Sequence, residues 1–348
     1  MRSFGSDNNS GVHPEVLKAI AEANDNHAPG YGDEAWTHRA EQEFKAVFGE
    51  QAEALIVFNG TGANAVALQI LTRPYNSILC AETAHILMDE CGAPCRMTGC
   101  QLRPIATPDG KLTPELIRPY LQGFGDQHHS QPKAIYLSQC TEMGTVYTPE
   151  ELKAITALAH ECGMFVHMDG ARIANAAAYL DCSLKAITTD CGIDILSFGG
   201  TKNGLMMGES VVILNPALKG EAYFIRKQSA QLASKMRYLS CQFSAYFAGD
   251  LWLRNATHAN GMAQRIYKAL SAYQEIEFLD AVESNVMFLR MPAAWARELR
   301  KTYFFYFLSE ERGEIRLVTS FDTTDEDVEG LIGCLAQIAT QHTHIPTR

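Results

Sequence analysis

Asp169, Arg172 and Lys202 are the residues of this chain whose types and spacing point to chemistry. Asp169 and Arg172 close His167-Met168-Asp169-Gly170-Ala171-Arg172, and Lys202 closes Ser197-Phe198-Gly199-Gly200-Thr201-Lys202 before Asn203. Each follows a short apolar run, Met164-Phe165-Val166 and Ile193-Asp194-Ile195-Leu196. Such runs predict central strands of a parallel sheet, whose carboxyl ends are where these folds place ligands. A lysine in a Gly/Thr setting suits nucleophilic attack on a carbonyl, and an aspartate beside it suits a pyridinium nitrogen. The pair therefore suggests pyridoxal 5'-phosphate (PLP). Neither motif is specific alone, because Asp-Gly is a common turn and a lysine after Gly-Gly-Thr is often a solvated loop residue.

A phosphate site is offered upstream. The apolar run Glu53-Ala54-Leu55-Ile56-Val57-Phe58 leads into Asn59-Gly60-Thr61-Gly62-Ala63-Asn64 and a helical pattern through Val66 to Leu71. A strand, a Gly-rich turn and a helix N-terminus present free N–H groups and positive dipole, so Gly60 and Thr61 are candidate phosphate ligands. Gly60-x-Gly62-x-x-Ala65 also meets a loose dinucleotide fingerprint, and Glu82 lies about 20 residues on, where a ribose-binding acid belongs. A NAD(P)-dependent dehydrogenase is therefore the alternative. It gives Lys202 and Asp169 no joint task, whereas PLP uses the turn, the lysine and the aspartate together.

These residues need a scaffold of alternating strands and helices. Strands are expected at 53–58, 78–80, 101–105, 133–137, 164–169 and 193–197, with helices at 14–20, 36–48, 66–71, 114–122, 149–162 and 172–180. That alternation predicts an α/β fold with a mostly parallel, doubly wound sheet. Val211-Val212-Ile213-Leu214 is a candidate antiparallel addition. A long helical stretch from Phe243 to Tyr273 leads into strands at 286–290, 303–308 and 315–318 and a helix from Asp325 to Ile338. Two domains are expected: a large cofactor-binding domain over 1–250, with an N-terminal arm, and a small α+β domain over 251–348.

Hydrophobic residues at 47% and charged residues at 20% describe an ordinary globular protein. The formal net charge of -11 disfavours nucleic acid or an anionic membrane as partner. No apolar run reaches the ~18 residues of a membrane span, and Met1-Arg2-Ser3-Phe4-Gly5-Ser6-Asp7 lacks a signal-peptide core, so a cytoplasmic enzyme is expected. The ten cysteines lack the regular spacing of a secreted scaffold, which predicts reduced thiols. Cys91, Cys95, Cys100 and His85 offer half a zinc site, but no second ligand pair follows, and no metal is expected.

The segments His167-Met168-Asp169-Gly170-Ala171-Arg172-Ile173-Ala174-Asn175 and Leu196-Ser197-Phe198-Gly199-Gly200-Thr201-Lys202-Asn203 resemble the aspartate and lysine motifs of the L-threonine aldolase family. That family is the glycine-forming branch of the fold-type I PLP enzymes, within the beta-eliminating lyases, and the resemblance runs over nearly the whole chain. It implies cleavage of L-threonine, L-allo-threonine or a related β-hydroxy-α-amino acid, phenylserine included, to glycine and an aldehyde. It implies that Lys202 holds PLP, that Asp169 keeps the ring nitrogen protonated, and that His85 stacks on the ring. Ser6, beside Asp7, and Arg316, in Glu314-Ile315-Arg316-Leu317-Val318-Thr319, are implied substrate-binding residues. Arg172 is implied to contact either the cofactor's phenolic oxygen or the substrate carboxylate. Tyr31, in Tyr31-Gly32-Asp33, corresponds to an element near the subunit interface, where a packed surface tyrosine is the plainer reading.

Arg226, Lys227, Lys235 and Arg237 match the region from which a basic residue reaches a phosphate across a dimer interface, although such charges also form solvated faces. The implied assembly is a homotetramer, a dimer of dimers. Where many members of the family have a histidine, this chain departs from the pattern with Glu142, and in that it resembles a subset of low-specificity and phenylserine-type aldolases. His85 and Glu142 are therefore both candidates for the base that takes the β-hydroxyl proton. A PLP-binding protein without turnover is the non-enzymatic alternative, and no missing catalytic residue supports it.

Overall fold

Alternation along each strand builds two apolar faces on one sheet. The computed structural model describes residues 3–343; Met1 and Arg2, which open the N-terminal stretch read above, lie outside them. Seven strands, β1 (Glu53–Val57), β2 (Asn76–Ala81), β3 (Gln101–Ile105), β4 (Gln131–Ser138), β5 (Phe165–Gly170), β6 (Ile195–Gly199) and β7 (Glu209–Ile213), pair in the order β1-β7-β6-β5-β4-β2-β3. Leu55, Ile78, Cys80, Tyr136, Ile195 and Val211 point to one core; Ile56, Leu79, Ile135, Leu137, Leu196 and Val212 point to the other. A strand buried on both faces reads as the continuous apolar run seen in the sequence. Only β7 opposes its neighbours, pairing antiparallel with both β1 and β6, as the sequence suggested.

The strand order decides between the two cofactors offered by the Gly60 turn. A dinucleotide fold pairs the strand before its Gly-rich turn with the strand carrying the ribose-binding acid. Here β1 and β2 are separated by β7, β6, β5 and β4, and Glu82 is exposed just past β2. The dehydrogenase alternative is therefore corrected: Gly60 and Glu82 do not belong to one dinucleotide unit.

A second sheet holds β8 (Glu277–Phe278), β9 (Val286–Arg290), β10 (Tyr306–Ser309) and β11 (Glu314–Val318), in the antiparallel order β10-β11-β9-β8. Its own core gathers Met287, Leu289, Trp295, Ile315, Leu317 and Leu331, together with Phe4 from the N-terminal arm. Phe4 bonds the backbone on both sides, its N–H to Phe304 O at 2.7 Å and its carbonyl to Val318 N at 2.8 Å. Burying a phenylalanine side chain contributes ~2–3 kcal/mol. The arm is therefore fixed, and the residues after it, Gly5 to Asp7, are delivered to the cleft between the sheets.

Three expected elements come out shorter. The helix expected from 114 to 122 is Pro114–Ile117 followed by a 3-10 turn, Arg118–Tyr120, because Pro119 cannot donate to a continuing helix. The stretch from 243 to 273 divides into Arg237–Phe247 and Leu251–Leu270, broken where Gly249 (φ 56°) and Asp250 (φ 53°) are left-handed. The strand expected at 303–308 starts only at Tyr306. Leu251–Leu270 joins the cores, with Leu251, Trp252 and Ala256 in the large one and Ala263, Ile266 and Leu270 in the small one.

Candidate active site

β5 ends at Gly170 and β6 at Gly199, and these adjacent carboxyl ends place Asp169 and the Lys202 loop at one cleft. Gly199 is required there, since a Cβ on it would stand 2.6 Å from the Ala171 backbone. The space before Lys202 has two lobes, of about 330 Å³ and 470 Å³. The first is walled by Gly60, Thr61, Ser197, Thr201 and Glu209, the second by Ser6, Glu142, Tyr306, Leu308 and Arg316; His85 and Lys202 border both. A groove of about 610 Å³ opens at the amino ends of β2, β4 and β5, where none of the candidate residues lies.

Asp169 is buried and its oxygens are occupied by donors. Ala171 N reaches Oδ1 at 2.9 Å, while Asn64 Nδ2 and Tyr136 Oη reach Oδ2 at 2.8 and 2.7 Å. Burial alone would raise this carboxyl; Asn64, Lys202, Tyr136 and the Ala171 amide outweigh it and hold the group below its ordinary value. Asp169 is thus a fixed anion. Lys202 moves the other way from a free lysine: burial first, and then the Arg172 guanidinium, lower its ammonium. A desolvated lysine with a lowered pKa is an activated amine nucleophile.

The helix Gly60–Leu71 begins at the same cleft. Asn59 caps it, accepting from Gly62 N at 2.8 Å, and Ala63 N bonds Asn59 O. The first-turn N–H groups of Gly60 and Thr61 have no partner within the helix, and a Cβ on Gly60 would meet nothing within 4 Å. An anion fits there.

His85 opens a short turn of helix past β2. Its N–H donates to Glu142 Oε1 at 2.7 Å, and its Nδ1 lies 2.8 Å from Glu90 Oε1. The Glu90 bond is the main cause raising the His85 pKa, against burial. Glu142 Oε1 also accepts from Ser138 Oγ at 2.6 Å, and burial raises this carboxyl in spite of those bonds.

Arg172 is committed to the arm, its Nε and Nη2 bonding the two oxygens of the buried Asp7. Ser6 caps the turn beginning at Asp7 and lines the second lobe. Arg316, on β11, crosses from the small sheet: Nη2 donates to Gly5 O at 2.9 Å, and the buried Nε has no partner among the described residues.

Ser6, Gly60, Thr61, His85, Glu142, Asp169, Arg172, Lys202 and Arg316 therefore line one cleft. Tyr31 does not join them. It is 55% exposed with Lys227 over its ring, 5.0 Å from the centroid. Arg226 is buried over Tyr223, and Arg237 holds the carbonyls of Asp25 and Asn26. Cys91, Cys95 and Cys100 do not converge with His85; among the described residues the one group close enough to hold an ion is His85, Glu90 and Asp169, 4.8 Å or less apart.

Several residues at the site had no sequence signal. Asn64, on the inner face of its helix, donates to both Asp169 and Glu90, and Tyr136 reaches Asp169 from β4. Glu209, at the start of β7, accepts from Gly200 N at 2.7 Å and holds the lysine loop; burial pushes its carboxyl up to about 7. The alternation of β7 alone would have put Glu209 on the Val57 side, but nothing in the sequence pairs it with Gly199.

The family model described as Beta-eliminating lyase matches residues 3–293. A low specificity L-threonine aldolase of Pseudomonas aeruginosa is 42% identical over 333 residues, 95% of this chain and 96% of that protein. Another from a Pseudomonas species is 40% identical over 331 residues, again 95% and 96%. Among solved structures, a Leishmania major threonine aldolase superposes with a TM-score of 0.92 at 30% identity, covering 97% of this chain and 99% of that one.

Proposed function

Because this chain belongs to the beta-eliminating lyase family, we propose that it is a PLP-dependent L-threonine aldolase, cleaving β-hydroxy-α-amino acids to glycine and an aldehyde. The observation that carries the reading is the meeting of a desolvated lysine, a fixed aspartate anion and a free helix N-terminus in one cleft. The cofactor fits these residues: the open Gly60 turn suits its phosphate, Asp169 its ring nitrogen and Lys202 its aldehyde. When bound, PLP supplies an electron sink for the pair released as the Cα–Cβ bond breaks.

The chain's own groups do the rest. Lys202 would hold the cofactor through its desolvated amine. Arg316, on the wall of the second lobe, binds the substrate carboxylate through its guanidinium. His85, which borders both lobes, would stack on the cofactor and takes the β-hydroxyl proton, and Glu142 anchors its backbone. Phe288, Tyr306 and Leu308 give the second lobe an apolar wall, which suits a β-substituent from methyl to phenyl.

Arg172 fixes the arm through Asp7 and adds positive field to the cleft. Tyr31 and the basic residues from Arg226 to Arg237 belong, in this reading, to the contact between protomers of a homotetramer. Exposed Tyr31, Met206, Met207, Tyr223 and Phe224 support such a contact. The division at residue 250 is part of the proposal, supported by the two separate sheets. So is a cytoplasmic location, supported by ten free cysteines; among the described residues no helix is long and apolar enough to cross a membrane. Borohydride reduction of the holoprotein and peptide mapping test the lysine: the pyridoxyl group is expected on Lys202, and its appearance on another lysine overturns the assignment.

A further inference from the structure

Glu90 lies in the wall of the same cleft, between Asn64 and His85, and nothing in the reading above gives it a task. Its carboxylate is buried, 4% exposed, and Oε1 faces two nitrogens: Asn64 Nδ2 at 2.7 Å and His85 Nδ1 at 2.8 Å. The orientation of Asn64 is forced. Its amide touches Glu90 on one side and Asp169 Oδ2 at 2.8 Å on the other, both acceptors, so both contacts must come from NH2 hydrogens. Oε1 thus accepts from Asn64, and the second contact is filled by a hydrogen on the imidazole. A single chain of hydrogen bonds, Asp169–Asn64–Glu90–His85, buried as far as Glu90, links the aspartate that would face the pyridine nitrogen to the histidine at the cleft.

We infer that Glu90 is a positioning residue: it holds the neutral His85 imidazole with its proton on Nδ1, leaving the Nε2 lone pair toward the substrate's β-hydroxyl. This rests on the aldolase reading, and it gives the histidine the lone pair that a base needs. Glu142 Oε1 is held by the His85 amide and Ser138, and on the histidine Nε2 is the ring nitrogen that the Glu90 contact leaves available. The proton transfer balances: Nε2 gains the hydroxyl proton as the hydroxyl carbon becomes the aldehyde carbonyl, and the Cα–Cβ electron pair passes to the glycine fragment. The same anion favours the imidazolium that results.

The test is the tautomer of His85 in holoprotein labelled with 15N-histidine, with His85→Asn used to assign its signals. Wild type is expected to carry the proton on Nδ1. In Glu90→Gln the neutral amide can either accept from Nδ1 or donate to it, so the proton is expected to spread between the two nitrogens. The carboxylates Asp169, Glu142 and Asp89 and the cations Lys202, Arg172 and Arg316 remain around the ring in both proteins. Loss of Glu90 alone should then lower the His85 titration and move the acid limb of kcat/KM to lower pH, with kcat falling by between about 10- and 10⁴-fold, the upper figure being the effect of an inverted tautomer. A wild-type proton on Nε2, or an unchanged tautomer and titration in Glu90→Gln, overturns the inference. If Glu90→Gln does not fold, the wild-type spectrum decides alone. Failure of the aldolase reading shows separately, as wild type that forms no glycine whatever the tautomer.

Discussion

Arg172 gives its guanidinium to Asp7: Nε lies 2.7 Å from Oδ2 and Nη2 2.9 Å from Oδ1, across 165 residues of sequence. Asp7 is buried beside the small sheet, where Asn285 Nδ2 also reaches it at 3.1 Å, while Arg172 follows β5 of the large sheet. One bidentate pair therefore ties the arm and small core to the cofactor cleft. Within our proposal this pair commits Arg172 to the arm and leaves Arg316, on the wall of the second lobe, for the substrate carboxylate.

Asp7→Asn should leave the largely buried Arg172 guanidinium without its counter-ion, at a cost of ~3 kcal/mol in urea unfolding. Burial alone would raise the Asp7 carboxyl, but Arg172, Lys202 and Asn285 hold it below the ordinary 3.8. A depressed carboxyl stabilises the fold above its unfolded value, and that stability is lost as pH falls through the folded value. The gap between wild type and Asp7→Asn should accordingly narrow below pH ~4. A gap that stays constant into acid would reject the pair as its source.

For Arg316→Ala we expect a loss of ~1.5–3 kcal/mol in kcat/KM, carried mostly by KM, with PLP content unchanged. Steady-state kinetics beside a cofactor assay check it. Loss of cofactor, or unchanged kinetics, would remove the substrate carboxylate from its role.

His85→Asn should lower kcat by ~10²-fold or more, in the range of general-base contributions. Glu142→Gln keeps an oxygen for the His85 amide and Ser138, so its kcat should stay within ~10-fold of wild type. The reverse ranking across the pH profile would make Glu142 the base.

Much of this was legible in the residues. The apolar runs before Asp169 and Lys202 are buried strands because their pattern has no polar face, and the Gly60 turn is a helix start because Asn59 caps it. The dinucleotide alternative survived in the sequence because spacing along the chain carries no strand order; insertion of four strands between β1 and β2 removes it. Asn64, Glu90 and Tyr136 were silent for a related reason. Each is an ordinary residue in a helix, turn or strand until β4 and β5 come into register and the Gly60–Leu71 helix packs across them. Gly249 was legible as a residue but not as a break, since a glycine in a helical pattern is usually tolerated.

Glu209→Gln should change the pH dependence of apoprotein stability. Burial raises this carboxyl from 4.5 to about 7, so the folded state holds a proton that the unfolded state releases. The stability it contributes is present below pH ~4.5 and lost as pH rises toward 7, on the order of 3 kcal/mol in all. Measured by urea unfolding at pH 5 and pH 8, the variant should gain on wild type at the higher pH. An equal difference at both values would place the titration elsewhere.

The central claim is that the bond broken lies between Cα and Cβ. Product analysis with L-threonine and PLP tests it directly, because the alternative open to a beta-eliminating lyase is loss of the hydroxyl group. Glycine and acetaldehyde are expected in equal amounts from wild type and neither from Lys202→Ala. Ammonia and 2-oxobutanoate in place of glycine, or turnover that survives Lys202→Ala, would contradict it.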